Sequence, residues 1–307
     1  MFSRSNGALG TFYAVLSALC WSTCYLVCKF LLQGDVQQID PRTLVFLRYL
    51  LGSTFIFLWC ALSKKNLHPG SSKRVWHIIR AAFFMYCLMN TLSAIGQQYV
   101  TATTASLFME SAPAFLMVMW RLVTRQTMTK GDIAASLLGV FGCMLVMNII
   151  SPLGIGFSGD PIGIPFLFFA SVSWIVGNHY SHDVMYSGDA IVTTAWCQLC
   201  ASLMMLPQMF VMSDALIFPS TWQAWLAVAA LGLFPTAIAY GTWSKAMTYI
   251  YGVKLTMMQN LTPVFTMFGA WLLLDEAVAW WNVVGMAIVF FGISIAVMYN
   301  MKKVHGG

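Results

Sequence analysis

Charge is what this sequence has least of. Of 307 residues only 8% are Asp, Glu, Lys or Arg, against about 25% in an ordinary soluble domain. So few charges could not cover the surface of a soluble fold this long, and that class is excluded. Long polar stretches are missing too. The gaps between apolar runs are mostly about ten residues and reach 18 at 63–80, too few for an extramembrane domain. No A-x-A-like site follows the first apolar run, which outlasts the 7–15 residues of a signal-peptide core, so it reads as a retained span. No glycine-rich nucleotide-binding loop is present, which argues against a chain that drives itself with ATP. A disulfide framework is missing as well, since the eight cysteines sit almost entirely inside apolar runs. Cys20, Cys24 and Cys28 share one helix face, with small-residue packing and a soft-metal site as the alternatives. Cys197 and Cys200 have C-x-x-C form without a βαβ context and read as packing.

What is present is apolar: 59% of the chain, arriving in blocks. The runs 43–62, 81–95, 105–120, 133–150, 162–177, 222–243, 255–274 and 278–299 each approach the ~20 residues that cross ~30 Å of hydrocarbon as a helix. With 8–32 and 190–212, which carry scattered polar residues, ten spans are expected. The fold class is therefore an all-α polytopic membrane protein.

Basic residues orient it. The even connections and both tails hold Arg4, Lys64, Lys65, Lys73, Arg74, Arg121, Arg125, Lys130, Lys245, Lys254, Lys302 and Lys303. The odd connections hold Arg42 and otherwise Asp35, Asp40, Asp160, Asp214, Asp275 and Glu276. By the positive-inside rule both termini are cytoplasmic. The net charge of +6 expresses this asymmetry and not a nucleic-acid partner.

The two halves match at a fixed offset of 150 residues. Tyr99 falls on Tyr249, Pro113 on Pro263, Phe115 on Phe265, Met117 on Met267, Phe141 on Phe291 and Gly142 on Gly292. Five spans per half is an odd number, so the halves enter the bilayer in opposite directions, an inverted repeat of 1–150 and 151–307. Secondary transporters use this architecture, with the substrate site near the midplane between repeats.

Two segments carry a resemblance: TASLFMESAPAFLMVMWRLVTRQTMTKGDIAASLLGVFGCMLV and GVKLTMMQNLTPVFTMFGAWLLLDEAVAWWNVVGMAIVFFGISIAV. Each has a small residue opening a helix, a mid-helix proline, a polar or acidic exit and a glycine-bearing last helix. Together with Cys20-Trp21-Ser22 and the run from Pro41 through Arg48-Tyr49, the chain resembles EamA-type members of the drug/metabolite transporter superfamily over essentially its whole length. The resemblance implies a ten-helix transporter and leaves the substrate open, since the superfamily moves amino acids, nucleotide sugars, sugars, amines and drugs. Two departures stand out. The first-half exit reads Thr124-Arg125-Gln126 without an acid, and Glu110 is no general feature of the pattern.

A charge at mid-bilayer costs ~2.5–3.5 kcal/mol on insertion scales, which makes such residues functional candidates. Arg48 lies about six residues, or ~9 Å, below the outer end of the second span, and Glu110 about nine residues, or ~13 Å, below that of the fourth. Both begin outside, so the two charges share a depth. At the 150 offset Arg48 maps to Gln198 and Glu110 to Asn260. The alternatives are a snorkelling arginine, a protonated acid bonded to a neighbouring helix, or a structural ion pair. Pro113 and Pro263 are expected to kink their helices. Trp21, Trp174, Tyr240 and Trp243 can line a cavity or pack, and Asn90 and Asn178 can bond a ligand or a helix. His179, His182 and Asp183 read as a solvated helix end rather than a metal site. Gly139, Gly142, Gly285 and Gly292 serve close helix packing, either within the chain or at a dimer face.

The expectation is a secondary transporter of a small organic metabolite, proton-coupled or exchanging, in the plasma membrane. An amino acid or other amine-bearing or zwitterionic solute is favoured. Export of drugs or cations, or carriage of sugars or nucleotide sugars, is the alternative; a channel or an intramembrane enzyme is remote. No cofactor is called for. The partners are the bilayer, the solute, protons and, in a homodimer, a second copy.

Overall fold

A computed structural model describes residues 4–33, 39–109, 130–146, 150–152, 154–155, 159–186, 189–211, 217–249, 258–259 and 261–305. Glu110, Pro113 and Asn260 lie outside them, and so do the side chains of Asn178, His179, His182 and Asp183.

Within the spans the described residues are helical. In chain order come α1 (Arg4–Gln33), α2 (Pro41–Leu62), α3 (72–97), a stretch at 102–109 (α4), α5 (Lys130–Val146), α6 (Gly163–Tyr186), α7 (Ala190–Val211), α8 (222–249), α9 (Leu261–Leu273) and α10 (Trp280–His305). A two-stranded turn, β1 (Ile150–Ser151) against β2 (Gly154–Ile155), separates the halves. Among the described residues five stretches are long and apolar enough to cross a bilayer: Ala8–Gln33, Pro41–Leu62, Ser72–Gln97, Ala190–Pro207 and Trp222–Trp243. Shorter apolar helices cover Leu137–Val146, Gly163–Gly177, Leu261–Leu273 and Trp280–Gly292. Large apolar side chains such as Leu62, Phe141, Leu226, Phe268 and Phe291 are exposed on the outside, as a lipid-facing surface requires.

Helix starts repeat between the halves. Asp40 accepts from the amides of Arg42 and Thr43 at the head of α2, with Pro41 in the first turn. Asp189 does the same for Ile191 and Val192 at the head of α7. Ser71 caps α3 through the Arg74 amide and Thr221 caps α8 through the Ala224 amide. Each side-chain oxygen satisfies N–H groups that a helix start leaves open. The Ser71 and Thr221 caps are 150 residues apart, but the Asp40 and Asp189 caps are 149 apart. Counted from its cap, Arg48 therefore corresponds to Cys197 and not to Gln198. The ungapped register slips by one between these caps and the next.

Both α3 and α8 pass through a π turn at the same place. Ala82–Leu88 interrupts α3 and Gly232–Ile238 interrupts α8, a shift of 150. In each the following amide reaches back five residues, Met89 to the Phe84 carbonyl and Ala239 to the Phe234 carbonyl. A π turn inserts one residue into the α ladder and commonly marks a working site.

The halves are joined by two antiparallel helix pairs. In α5 and α10, a Cβ on Gly142 would stand 2.5 Å from the Gly285 carbonyl and one on Gly285 2.7 Å from the Gly142 carbonyl. Further along, Asn282 Nδ2 donates to the carbonyls of Leu145 and Val146 at 3.3 and 3.1 Å. Moving from 142 to 145 on one helix moves from 285 back to 282 on the other, so the two run antiparallel. Gly142 and Gly285 thus serve packing between halves of one chain. Gly139 faces open space. In α2 and α7, Gly52 brings its neighbours close: a Cβ there would lie 2.9 Å from the Thr236 Cβ and 3.1 Å from Gln198 Oε1.

Loop contacts sort by parity. At one end Glu276 accepts from the Ala102 amide at 2.8 Å and the Thr103 hydroxyl at 3.0 Å, capping α4 from the far half. At that end too the Asp160 amide donates to the Tyr99 carbonyl, and Val100 bridges Gly159, whose φ of +112° suits glycine. At the other end Lys65 pairs with Asp189 at 2.6 Å, and Arg74 Nη2 donates to the Thr193 hydroxyl at 2.7 Å. Odd connections meet odd and even meet even, the arrangement a chain that crosses and recrosses a bilayer produces.

Candidate functional site

Arg48 is the centre. Eight residues after its cap it leaves α2 toward the π turn of α8, and only 6% of it is exposed. Its Nε donates to the Thr236 hydroxyl at 2.9 Å, and its Nη1 reaches Asn90 Oδ1 at 3.4 Å. The guanidinium carbon sits 5.1 Å from the centre of the Tyr49 ring, a cation–π distance. A snorkelling arginine would lead its head to the headgroups; this one is turned inward between repeats.

The two π turns orient both acceptors. Pro235 has no N–H to offer the Leu231 carbonyl, and the Thr236 hydroxyl donates to that carbonyl at 2.7 Å. The hydroxyl's single proton is thereby committed, so toward Arg48 it can only accept. In the other half Asn90 Nδ2 donates to the Met85 carbonyl at 3.1 Å, which turns its oxygen to the guanidinium. Neighbouring helices satisfy further carbonyls beside the same turns: Ser17 bonds Ala239 at 2.8 Å, and Ser173 bonds Phe84 at 2.7 Å.

Aromatic rings wall the site. Tyr49 meets Tyr86 edge-on at 5.7 Å, Tyr86 meets Tyr240 at 5.7 Å, Tyr240 meets Trp21 at 5.6 Å, and Trp21 meets Trp243 at 5.0 Å. Cys24 and Cys28, with sulfurs 3.9 Å apart, are buried in the same core as Tyr49 and Tyr86. Cys197 points at the Ile78 carbonyl, in keeping with packing.

Buried polar groups here lack partners among the described residues, and two stand nearest the helix that carries Arg48. They are the Tyr49 hydroxyl and both ends of the Gln198 amide, each residue fully buried. A buried amide without bonds costs about 1–3 kcal/mol, so its donor and acceptor are both open to a further partner.

Of the residues singled out in the sequence, the structure brings together Arg48, Asn90, Gln198, Trp21, Tyr240 and Trp243. Trp174 is half-buried against the core that holds Tyr49 and Tyr86. Pro263 is buried in the first turn of α9. Sequence reasoning passed over Tyr49, Tyr86, Thr236 and the π turns. One signal was available, a Pro-Thr pair inside an apolar span at Pro235-Thr236.

Residues 8–148 and 161–298 each match the sequence pattern of the EamA-like transporter family. The chain belongs to that family. Its relatives include an uncharacterized transporter of Archaeoglobus fulgidus, 22% identical over 91% of this chain and 93% of that protein. The uncharacterized transporter YoaV of Bacillus subtilis is 23% identical, covering 90% and 92%. The uncharacterized inner membrane transporter YhbE of Escherichia coli is 22% identical, covering 86% and 81%. A protein of known crystal structure superposes with a TM-score of 0.66 at 19% identity, over 98% of this chain and 99% of that one; that likeness carries the fold alone. This EamA-like chain is thus a multi-pass membrane protein of a transporter family, built from two repeats.

Proposed function

We propose that this EamA-like protein is a secondary active transporter of a small charged organic solute, working by alternating access around Arg48. The observation that carries the reading is the position of that guanidinium. It leaves α2 of the first repeat, bonds Thr236 in α8 of the second, and is buried where the repeats meet. A site held by both halves changes its exposure when one half rocks against the other. The π turns are the natural points of bending, because their ladders already depart from α geometry.

In this proposal the chain makes ten crossings as repeats 1–150 and 151–307, with both termini in the cytoplasm of a plasma membrane, as a monomer or homodimer. Glu110, outside the described residues, supplies the coupling carboxylate or the partner of a solute amine, opposite Asn260. Amine-bearing and zwitterionic solutes such as amino acids head the candidates, and transport runs as proton coupling or exchange.

Counterflow tests the reading. Proteoliposomes of the purified chain, preloaded in turn with amino acids, amines, sugars and nucleotides, should take up labelled solute faster when loaded with the same solute. High flux without such acceleration means a channel, and no flux with any class sinks transport. The Glu110→Gln variant should keep exchange and lose its dependence on proton concentration. An unchanged rate and pH profile ends the coupling role.

A further inference from the structure

Arg48 has five N–H donors, and the described residues engage two of them, Nε through Thr236 and one on Nη1 through Asn90. The ion pairs among the described residues, Arg42–Asp40 and Lys65–Asp189, do not involve it. A buried guanidinium is costly unless an anion and further hydrogen bonds compensate it. The groups beside it are of matching chemistry. The Tyr49 hydroxyl belongs to the next residue, on the ring that Arg48 overlies. Gln198 Oε1 lies 3.1 Å from where a Cβ on Gly52 would stand, one helical turn beyond Arg48, a position that the Thr236 side chain also crowds.

We infer that the remaining Nη edge of Arg48, the Tyr49 hydroxyl and the Gln198 amide form a binding site for a carboxylate group on the transported solute. The inference rests on the transport reading and names the end of the solute that the site holds. A carboxylate is planar and takes two parallel N–H bonds from a guanidinium edge, with lone pairs left for a phenol and an amide. One guanidinium balances one negative charge, whereas a phosphate dianion would leave a second charge uncompensated. Thr236 and Asn90 fix the guanidinium plane before the solute arrives, which lowers the ordering cost of binding. Pro235 makes this possible by drawing the Thr236 proton away from Arg48.

The test is thermal stabilisation of the purified full chain by a matched set of four-carbon probes at equal millimolar concentration: butyrate, 4-aminobutyrate, butylamine, 1-butanol and butyl phosphate. Butyrate and 4-aminobutyrate are expected to stabilise, with butylamine and butanol inert and butyl phosphate weaker than butyrate. Arg48→Gln should weaken butyrate by roughly tenfold or more, and Tyr49→Phe and Gln198→Leu by a smaller factor each. The last two remove one polar group at nearly constant volume, so they decide the matter if Arg48→Gln does not fold. Equal stabilisation by butylamine or butanol overturns the site. So does butyl phosphate outdoing butyrate, or no response to butyrate at all, or butyrate affinity unchanged in the variants. Absent counterflow with every solute would instead sink transport and leave the binding result standing.

Discussion

The two π turns occupy the same place in their halves and do different things. In α8 the turn contains Pro235 and Thr236, and its hydroxyl joins the Leu231 carbonyl to Arg48. In α3 the equivalent positions are Met85 and Tyr86; the acceptor for Arg48 comes from Asn90, beyond the turn, through the Met85 carbonyl. The backbones obey the repeat and the side chains do not. A duplicated scaffold sets where a helix loosens, and unequal side chains then make one charged site out of two similar frames.

The largest way to break that comparison is to part the frames. Gly142→Leu places a side chain against the Gly285 carbonyl and the Val289 backbone, and overpacking of this kind costs about 1–3 kcal/mol. Gly139→Leu, on the same helix but in open space, should change stability little. Thermal unfolding in detergent checks the pair, and equal losses would refute the seam.

A second way is to remove a hydroxyl from each half. Thr236→Val takes away the acceptor of Arg48 Nε and should cost about 1–3 kcal/mol of stability, since a buried charged donor is left unmet. Thr91→Val, whose hydroxyl donates to the Cys87 carbonyl at 2.7 Å, should cost about 0.5–1.5 kcal/mol. If the two cost the same, the asymmetry drawn around Arg48 is wrong.

The smallest effect concerns the paired caps. Asp40 contacts Arg42 of its own turn at 3.5 Å, whereas Asp189 pairs across the repeats with Lys65 at 2.6 Å. Asparagine caps as well as aspartate, so Asp189→Asn should remove only the ion pair, about 0.2–1 kcal/mol for an exposed contact. Partial burial pushes the Asp189 carboxyl up, but Lys65 and the amides of Val192 and Ile191 more than offset this and hold it below the ordinary carboxylate value. Its stabilisation is therefore complete above about pH 4, the unfolded value, and fades as pH falls through the lower folded value. A stability profile from neutral to acid pH should show that loss in the parent and not in Asp189→Asn.

The apolar runs and the two-repeat architecture are legible in the sequence, because hydropathy marks them, and Arg48 stands out there because bilayer cost leaves few charges. The register of α2 against α7 departs from the 150 offset at Gln198, because the Asp40 and Asp189 caps stand 149 apart. Low identity makes an ungapped offset insensitive to one inserted residue. The turn at Ala82–Leu88 was hidden for a physical reason: AFFMYCL is as content in an α helix as in a π turn, and only tertiary contacts choose. In the sequence Tyr49 stands out only within the resembling run that ends at Arg48-Tyr49, because its burial and open hydroxyl are tertiary properties.

A π turn stores one residue of phase. An α helix turns about 100° per residue, so forcing 82–88 into α geometry with every residue kept would swing Asn90 about a quarter turn away from Arg48, whereas deleting one residue as the helix regularises would leave Asn90 in phase. Helix α3 thus aims Asn90 by the one residue its wide turn takes up, and the turn at 232–238 does the same for Thr236, so both halves carry their spare residue at the level where the guanidinium sits.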